Sequence, residues 1–359
     1  MELGKMTKND VWSSLEKKVK NKPQRKIMAE IRYSRVCYRF LQRQSADKKI
    51  PSVIRAALLE YLDCFWAWCK GLNLDQFKND YIDRPIDGKR ISGEDLGFWI
   101  QNENIHCQTG MVRGKESAIY LWHTEEEPPD ESFVTKPLLV DFLIKGVLRT
   151  SYIHPLNMPA TGFGWQKNFF HVMNSYYVYD FLKDGGSLAH CCCWVLWRLG
   201  LEVDSKEIIR ALFPFTDGCV IYTVKEYEGT VIGQRYSFGI RHLYEDILPE
   251  KASSYFFQAT LVRDAPALVP YEYVTKKSFN KYINRYKRND IFLKRLEKNG
   301  GIDDVSLAKL MKNRWGGSFS YCNEDVKMHF ISKFMPGKHT FIYDAGPALD
   351  RNNYITISI

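Results

Sequence analysis

Residues 183–201, which read KDGGSLAHCCCWVLWRLGL, constrain the fold of this chain more than any other stretch. Two glycines release the chain from an aromatic run, and a helical pattern begins at Ser187 and ends at Gly200. Three consecutive cysteines and a tryptophan-rich apolar stripe lie between these two residues. A side chain at the start of such a helix lies at the positive end of the helix dipole, which favours a thiolate. The segment therefore predicts a nucleophile near the start of a buried helix.

The composition excludes several classes of protein. A chain of 359 residues with 45% hydrophobic and 14% aromatic residues can bury a sizeable core, so it is not a disordered protein. No run approaches the roughly 18 apolar residues of a membrane span, so no transmembrane segment is expected. The N-terminus lacks the apolar core of a secretory signal peptide, although a signal read by a specialised bacterial secretion system would leave no such trace.

The cysteines predict a reducing compartment. There are nine of them, and the odd count, the irregular spacing and the adjacent triplet favour free thiols in a cytosol. No Cys-x-x-Cys pair has matching His or Cys partners, so no structural zinc site is predicted. No other metal and no organic cofactor is implied.

The positive charge is concentrated in two blocks. Residues 1–50 hold 14 Lys or Arg against 5 Asp or Glu, and residues 276–314 hold 12 against 4. Each block is compatible with an ordinary solvated helix surface. Such blocks also attract an acidic protein or an anionic surface, here through residues 1–50, with nucleic acid as the lesser alternative.

The N-terminal third is predicted to be helical. Apolar residues recur at helical spacing over residues 8–45, with an interruption at Pro23, and again over residues 51–72. An acidic Pro-Pro segment at 125–131 then predicts a domain boundary, with a long surface loop within a single domain as the alternative. We predict a basic, helical N-terminal region at 1–130.

Residues 131–359 are predicted to form the catalytic domain. The apolar run at 138–148 predicts a buried helix. Near the end of the chain, two alternating runs flank Pro336-Gly337 and predict a β-hairpin. If the turn is centred there, His329 lies directly opposite Asp344 on the same face, where an imidazole and a carboxylate can form a hydrogen bond.

The order of these features resembles the papain-like superfamily. A nucleophile begins a buried helix, a His lies on one strand and an Asp on the next. The similarity is to the compact bacterial members, which are the peptidases that trim bacteriocin leaders and the virulence cysteine proteases. Transglutaminase-like enzymes and deamidases belong to the same broad group. The segment GGSLAHCCCWVLWRLGLEVDSKEIIRAL follows their outline of a Gly-containing turn, a long helix and a short second helix.

On that outline the nucleophile position falls on Ser187. Either a serine replaces the cysteine in an engineered inactive form, or the protein is a natural pseudoenzyme, or the alignment is shifted. A shifted alignment puts the nucleophile at Cys191, Cys192 or Cys193, and Cys193 with the following Trp resembles the Cys-Trp pair of papain.

The resemblance implies an α+β fold with a papain-like core, in which the nucleophile helix packs on a C-terminal antiparallel sheet, plus an N-terminal helical region. It implies a thiol hydrolase that cuts or deamidates a protein substrate through a Cys(Ser)-His-Asp triad. His329 would take the proton from the nucleophile, and Asp344 would orient the imidazole. Asn174 and Gln166 are candidate oxyanion donors. The resemblance is compatible with a cytoplasmic protein or with a virulence effector that is delivered into a host cytosol.

Two other functions remain open. A non-catalytic binding protein would use the basic blocks on nucleic acid or an acidic partner, and its affinity would fall steeply with salt. An acyl or glutaminyl transferase of the same superfamily would use thioester chemistry. Each candidate residue also has a purely structural interpretation: Ser187 as a helix cap, the cysteine triplet as buried filler, and His329 with Asp344 as an ordinary cross-strand pair.

Overall fold

The computed structural model confirms the predicted α+β class. It describes residues 8–82, 85–86, 88–101, 106–126, 138–153, 158–175, 189–212, 219–239, 242–251, 253–258, 276–299, 301–312, 326–344 and 355–358. Across these ranges there are nine α-helices and two antiparallel sheets. Contacts divide the chain into two compact units. The first unit contains residues 1–103, 131–164 and 180–217, and the second contains residues 104–130, 165–179 and 218–359.

The helices are α1 (Lys8–Asn21), α2 (Gln24–Ala46), α3 (Ser52–Gly71), α4 (Leu74–Tyr81), α5 (Gly93–Gln101), α6 (Ala189–Leu199), α7 (Ser205–Leu212), α8 (Lys276–Lys298) and α9 (Asp304–Met311). The strands are β1 (His106–Arg113), β2 (Ile119–Glu126), β3 (Leu138–Ile144), β4 (Val147–Ile153), β5 (Phe163–Gln166), β6 (Phe169–Ser175), β7 (Cys219–Tyr227), β8 (Thr230–Gly239), β9 (His242–Ile247), β10 (Tyr255–Gln258), β11 (Val326–Met335), β12 (Lys338–Asp344) and β13 (Ile355–Ser358). None of the helices in the described ranges has both the length and the apolar character to cross a membrane.

The first unit contains α1 to α7 with β3 and β4. The helices predicted over 8–45 and 51–72 are confirmed, with the interruption at Pro23, which caps α2. A buried ion pair joins α2 to α5, because Arg35 donates to the Asp95 carboxylate at 2.7 Å and 2.9 Å. The predicted division at residue 130 stays a prediction, and β1 and β2, which precede it, belong to the second unit.

Helix α6 is buried along almost its whole length, and it ends at Leu199, before the predicted stop at Gly200. On its α3 side, Trp194 packs edge-on against Tyr61. Arg198 forms two hydrogen bonds with the carboxylate of Glu60, at 2.7 Å and 2.8 Å. Because α6 is buried along almost its whole length, this segment is apolar all round rather than amphipathic.

The helix predicted over residues 138–148 is wrong, because β3 and β4 form a hairpin there. Lys145 and Gly146 both have positive φ, which is the backbone of a primed two-residue turn. Leu143 lies opposite Leu148, and both side chains are exposed. A mostly apolar segment therefore covers both faces of a hairpin, and periodicity alone does not separate this pattern from a buried helix.

The second unit contains a six-stranded antiparallel sheet in the order β10-β1-β2-β11-β12-β13, and a meander in which β6, β7, β8 and β9 pair in succession. The two faces of the six-stranded sheet have different neighbours. One packs under α8 and α9 through a cluster that includes Trp122, Ile331 and Leu310. On the other face, β1 lies against β6 and β2 lies against β8. We call these the helix-covered face and the inner face.

The predicted C-terminal hairpin is confirmed in its register. β11 and β12 pair around Pro336-Gly337, with His329 opposite Asp344 and Phe334 opposite His339. A positive φ at Gly337 allows the tight turn.

Candidate functional site

The predicted nucleophile Ser187 lies outside the described residues, since α6 is described from Ala189. The alternatives Cys191, Cys192 and Cys193 lie within α6 and are buried. Burial raises the pKa of the Cys191 and Cys192 thiols well above the ordinary value, with a smaller contribution to Cys191 from Cys192. These two thiols therefore stay protonated, which disfavours them as nucleophiles. The catalytic role of α6 stays a prediction.

The predicted His329–Asp344 pair lies on the helix-covered face. His329 pairs with Thr124 of β2, and its neighbour two residues on, Ile331, packs in the cluster with α8 and α9. His329 is buried. The register brings the backbone positions of the pair together, as expected, but their catalytic role stays a prediction.

A different group of polar residues lies on the inner face of the same sheet. Cys107 and Thr109 alternate along β1, and His123 of β2 is directly opposite Thr109. The Thr109 hydroxyl and Nδ1 of His123 share a hydrogen bond of 2.7 Å. Because Cys107 and His123 are diagonal neighbours, about 7–8 Å separates their backbones, a distance that an imidazole side chain can span. A thiol and a held imidazole therefore lie on one buried face.

The side chains of this group are buried. Cys107 is 3% exposed, and Thr109 and His123 are fully buried. The hydrogen bond at Nδ1 fixes the rotation of the His123 ring, so Nε2 is the nitrogen that can exchange a proton with a reacting group. Ring contact with Phe330, at 5.4 Å between centroids, restrains the imidazole further. The arrangement can do general acid–base chemistry beside a thiol.

Asn174 faces the same interior. Phe170, four residues earlier on β6, packs on Phe330 and Phe341 of the six-stranded sheet, at 5.5 Å and 6.2 Å between ring centroids. Residues four apart on a strand share a face, so Asn174 points toward the inner face that carries Cys107. It is fully buried. Gln166, by contrast, alternates with Trp165, which packs on Phe341 at 4.6 Å, and therefore points away from the inner face.

Asn174 also lies toward the Cys107 end of the sheet. Glu226, beside the start of β6, accepts a hydrogen bond from the Gly337 N–H in the β11–β12 turn at 2.9 Å. The start of β6 is therefore near that turn, and Asn174 is at its other end. Cys107 is in the row of Met328, which is also at the end of the sheet opposite the turn. A buried carboxamide there can donate a hydrogen bond to an oxyanion.

The sequence did not indicate Cys107, because its neighbours form no known motif. The cysteine triplet in α6 instead predicted a nucleophile near a helix start. The usable signal was alternation: Cys107, Thr109 and Met111 occupy every second position of one strand, and His123 lies in the next strand along the chain. Within the described ranges, no three His, Cys, Asp or Glu side chains come together as a metal-binding group.

No protein-family model and no curated protein matches this sequence. The structure is similar to 15 chains among solved structures. One of them is the Caenorhabditis elegans ortholog of N-acylethanolamine-hydrolyzing acid amidase (NAAA), with 12% sequence identity and a TM-score of 0.42 over 64% of this chain and 93% of that chain. This similarity is too low to assign the chain to a family.

Proposed function

We propose that this chain is a thiol hydrolase that cleaves amide bonds and that Cys107 is its nucleophile. The observation that carries the proposal is the inner-face group, in which the Thr109–His123 hydrogen bond lies two residues along β1 from the Cys107 thiol. A cysteine becomes a nucleophile when a neighbouring base can take its proton, and His123 is within side-chain reach. The proposal keeps the thiol chemistry predicted from the sequence and moves it from helix α6 to strand β1.

In the proposed reaction, Nε2 of His123 takes the proton of the Cys107 thiol as the sulfur attacks the amide carbonyl carbon. The proton then passes to the leaving amine as the C–N bond breaks, and a thioester remains on Cys107. Water, deprotonated by the same imidazole, hydrolyses the thioester and regenerates the thiol. The side-chain N–H of Asn174 is the proposed donor to the carbonyl oxygen in both tetrahedral intermediates.

The papain-like arrangement is the competing proposal. It would use Ser187, or one of the α6 cysteines, with His329 and Asp344, on a protein substrate as a protease or a deamidase. The raised pKa of Cys191 and Cys192 argues against two of its nucleophiles. An acyl transferase differs from the Cys107 proposal only in the second step, where an amine replaces water as the acceptor of the acyl group.

Labelling with an iodoacetamide probe, followed by peptide mapping, tests the proposal directly. In the folded chain at neutral pH, we expect Cys107 to be alkylated faster than Cys191 and Cys192 by about 100-fold or more, because access to a base sets the thiolate fraction. Exposed Cys64 reports the rate of an ordinary surface thiol. Hydrolysis is then measured as the release of amine from a set of substrates. The set contains peptides, short and long acyl amides, and an N-acylethanolamine, which is the substrate in the name of the C. elegans neighbour.

Three variants complete the experiment. Cys107→Ala is expected to abolish amine release, whereas Cys193→Ala and Ser187→Ala are expected to retain it within about threefold. Amine release that survives Cys107→Ala but disappears with Ser187→Ala or His329→Ala would transfer the function to the papain-like proposal. No amine release by the wild type, combined with salt-sensitive RNA binding, would favour the non-catalytic binding protein.

A further inference from the structure

The turn of the β3–β4 hairpin presents two leucines to solvent. Leu143 is 74% exposed and Leu148 is 60% exposed, and they lie directly opposite each other in the register. Their strand neighbours face the other way: Phe142 packs on Trp197, and the Arg149 side chain donates to carbonyl groups at the end of α6. The leucine pair therefore occupies the outer face of the hairpin, with Lys145 in the turn between them.

Helix α3 carries a second exposed row, in which two apolar side chains flank the exposed Asp63. Leu59 is 50% exposed and Trp66 is 47% exposed, seven residues apart and hence on one side of the helix. The ammonium of Lys70 lies over the Trp66 ring, 3.6 Å from its centroid. A half-exposed tryptophan beside a lysine is the combination that proteins use at the level of lipid headgroups.

Hydrogen bonds tie the hairpin to α3 within the first unit. Arg149 donates to the carbonyl oxygens of Ile144, in the hairpin, and Arg198, at the end of α6, at 3.0 Å and 3.1 Å. Arg198 in turn forms its two hydrogen bonds with Glu60, the neighbour of Leu59. The buried guanidinium of Arg149 holds the turn in place, so the exposed leucines are held by a rigid support.

We propose that the first unit docks on an anionic lipid bilayer through the hairpin leucines and the exposed row of α3, which together we call the docking surface. The same unit carries the block at residues 1–50, with 14 Lys or Arg against 5 Asp or Glu, and many of these basic side chains are exposed. Apolar side chains enter the acyl boundary while basic side chains attract anionic headgroups.

A lipid surface fits these residues better than a polyanion or an acidic protein does. Nucleic acid binds through cations and stacked aromatic rings and gains little from two aliphatic leucines at the tip of a hairpin. An acidic partner would be drawn to the basic block alone. The docking surface combines both chemistries in one unit, and it is independent of the hydrolase proposal because none of its residues belongs to the inner face.

The test is sedimentation of the full chain with vesicles of phosphatidylcholine, with and without phosphatidylglycerol. We expect binding that requires phosphatidylglycerol and weakens as salt is raised. The double variant Leu143→Glu with Leu148→Glu is expected to lower the partition coefficient about tenfold or more, because both leucines lose their place in the acyl boundary. The neutral pair Leu143→Gln with Leu148→Gln should give a similar loss.

The matched control is Ile247→Glu with Val305→Glu. These residues are 66% and 63% exposed, lie in the second unit and add the same two negative charges. They are expected to leave the partition coefficient unchanged within about twofold. Three results would each overturn the proposal: no binding of the wild type to anionic vesicles, equal losses in the hairpin pair and the control pair, or retention of full binding by the neutral pair.

Discussion

Two buried cysteine sites in this chain differ in what surrounds them. The thiols of Cys191 and Cys192 lie in α6 among tryptophans and aliphatic side chains, and their pKa values are raised by burial. Cys107 is buried to the same degree, but its strand face carries Thr109 and His123, which are joined by a hydrogen bond. The two sites therefore match in burial and differ in the polarity of the side chains around the thiol.

The difference lies in whether a base shares the face of the thiol. His123 lies on the same strand face as Cys107, whereas His190 precedes Cys191 directly in a helix, where adjacent side chains do not face each other. In a low-dielectric interior, a lone thiolate is costly, and the thiol stays protonated. An imidazole alongside can accept the proton. The attraction between the resulting thiolate and imidazolium is stronger in the low-dielectric interior, because it is poorly screened. Polar side chains on one strand face are thus a better guide to chemistry here than the number of adjacent cysteines.

The largest effect that separates the two sites is expected from their histidines. His123→Gln keeps a side chain that can bond Thr109 but cannot exchange a proton. We expect it to lower amine release, measured as kcat/KM, by about 10²–10⁴-fold. His190 is the matched control, because it lies beside the α6 cysteines and burial lowers its pKa to about 4. His190→Gln should change kcat/KM by less than about threefold. A reversed order of these two losses would return the active thiol to α6.

The second effect is on the free energy of unfolding. The same substitution, Cys→Ser, is made at each of the two sites. Cys192→Ser puts a hydroxyl into the apolar interior of α6, and we expect it to lower the free energy of unfolding by about 2 kcal/mol. Cys107→Ser puts the same hydroxyl among polar neighbours, and the expected loss is below about 1 kcal/mol. Urea unfolding followed by tryptophan fluorescence measures both. Equal losses would mean that the inner face is no more polar than the core of α6.

The sequence predicted much of the fold because local signals and tertiary contacts agree over most elements. Pro23 interrupts the helical pattern because it has no N–H and restricts the residue before it, and the alternation around Pro336-Gly337 determined the register that pairs His329 with Asp344. The hairpin at residues 138–153 was not predictable in this way. Its apolar residues point to both faces, and only the backbone of Lys145-Gly146 distinguishes it from a helix.

The candidate site was less predictable than the fold. Cys107 and His123 lie on the consecutive, paired strands β1 and β2, but Asn174 lies on β6, and no local sequence pattern encodes that β6 packs on the same face. The sequence identified Asn174 as a candidate oxyanion donor, but it did not place Asn174 near Cys107. The His329–Asp344 pair, in contrast, lies on two strands joined by a tight turn, which is where sequence patterns are informative.

The smallest effect concerns the hydrogen bond that holds His123. Thr109→Val keeps the shape of the side chain and removes its hydroxyl, so the imidazole loses its partner at Nδ1. If the hydroxyl positions the base, kcat should fall about tenfold while KM changes little, because the bond acts on the reacting group and not on the substrate. Thr109→Ser restores the hydroxyl and should recover most of kcat, whereas a purely structural threonine would give equal kcat for the two variants. Thr223→Val, on β7, removes a buried hydroxyl elsewhere and should leave kcat unchanged. The ratio of kcat between Thr109→Ser and Thr109→Val therefore measures how much of the proposed reactivity of Cys107, relative to the cysteines of α6, comes from one oriented imidazole.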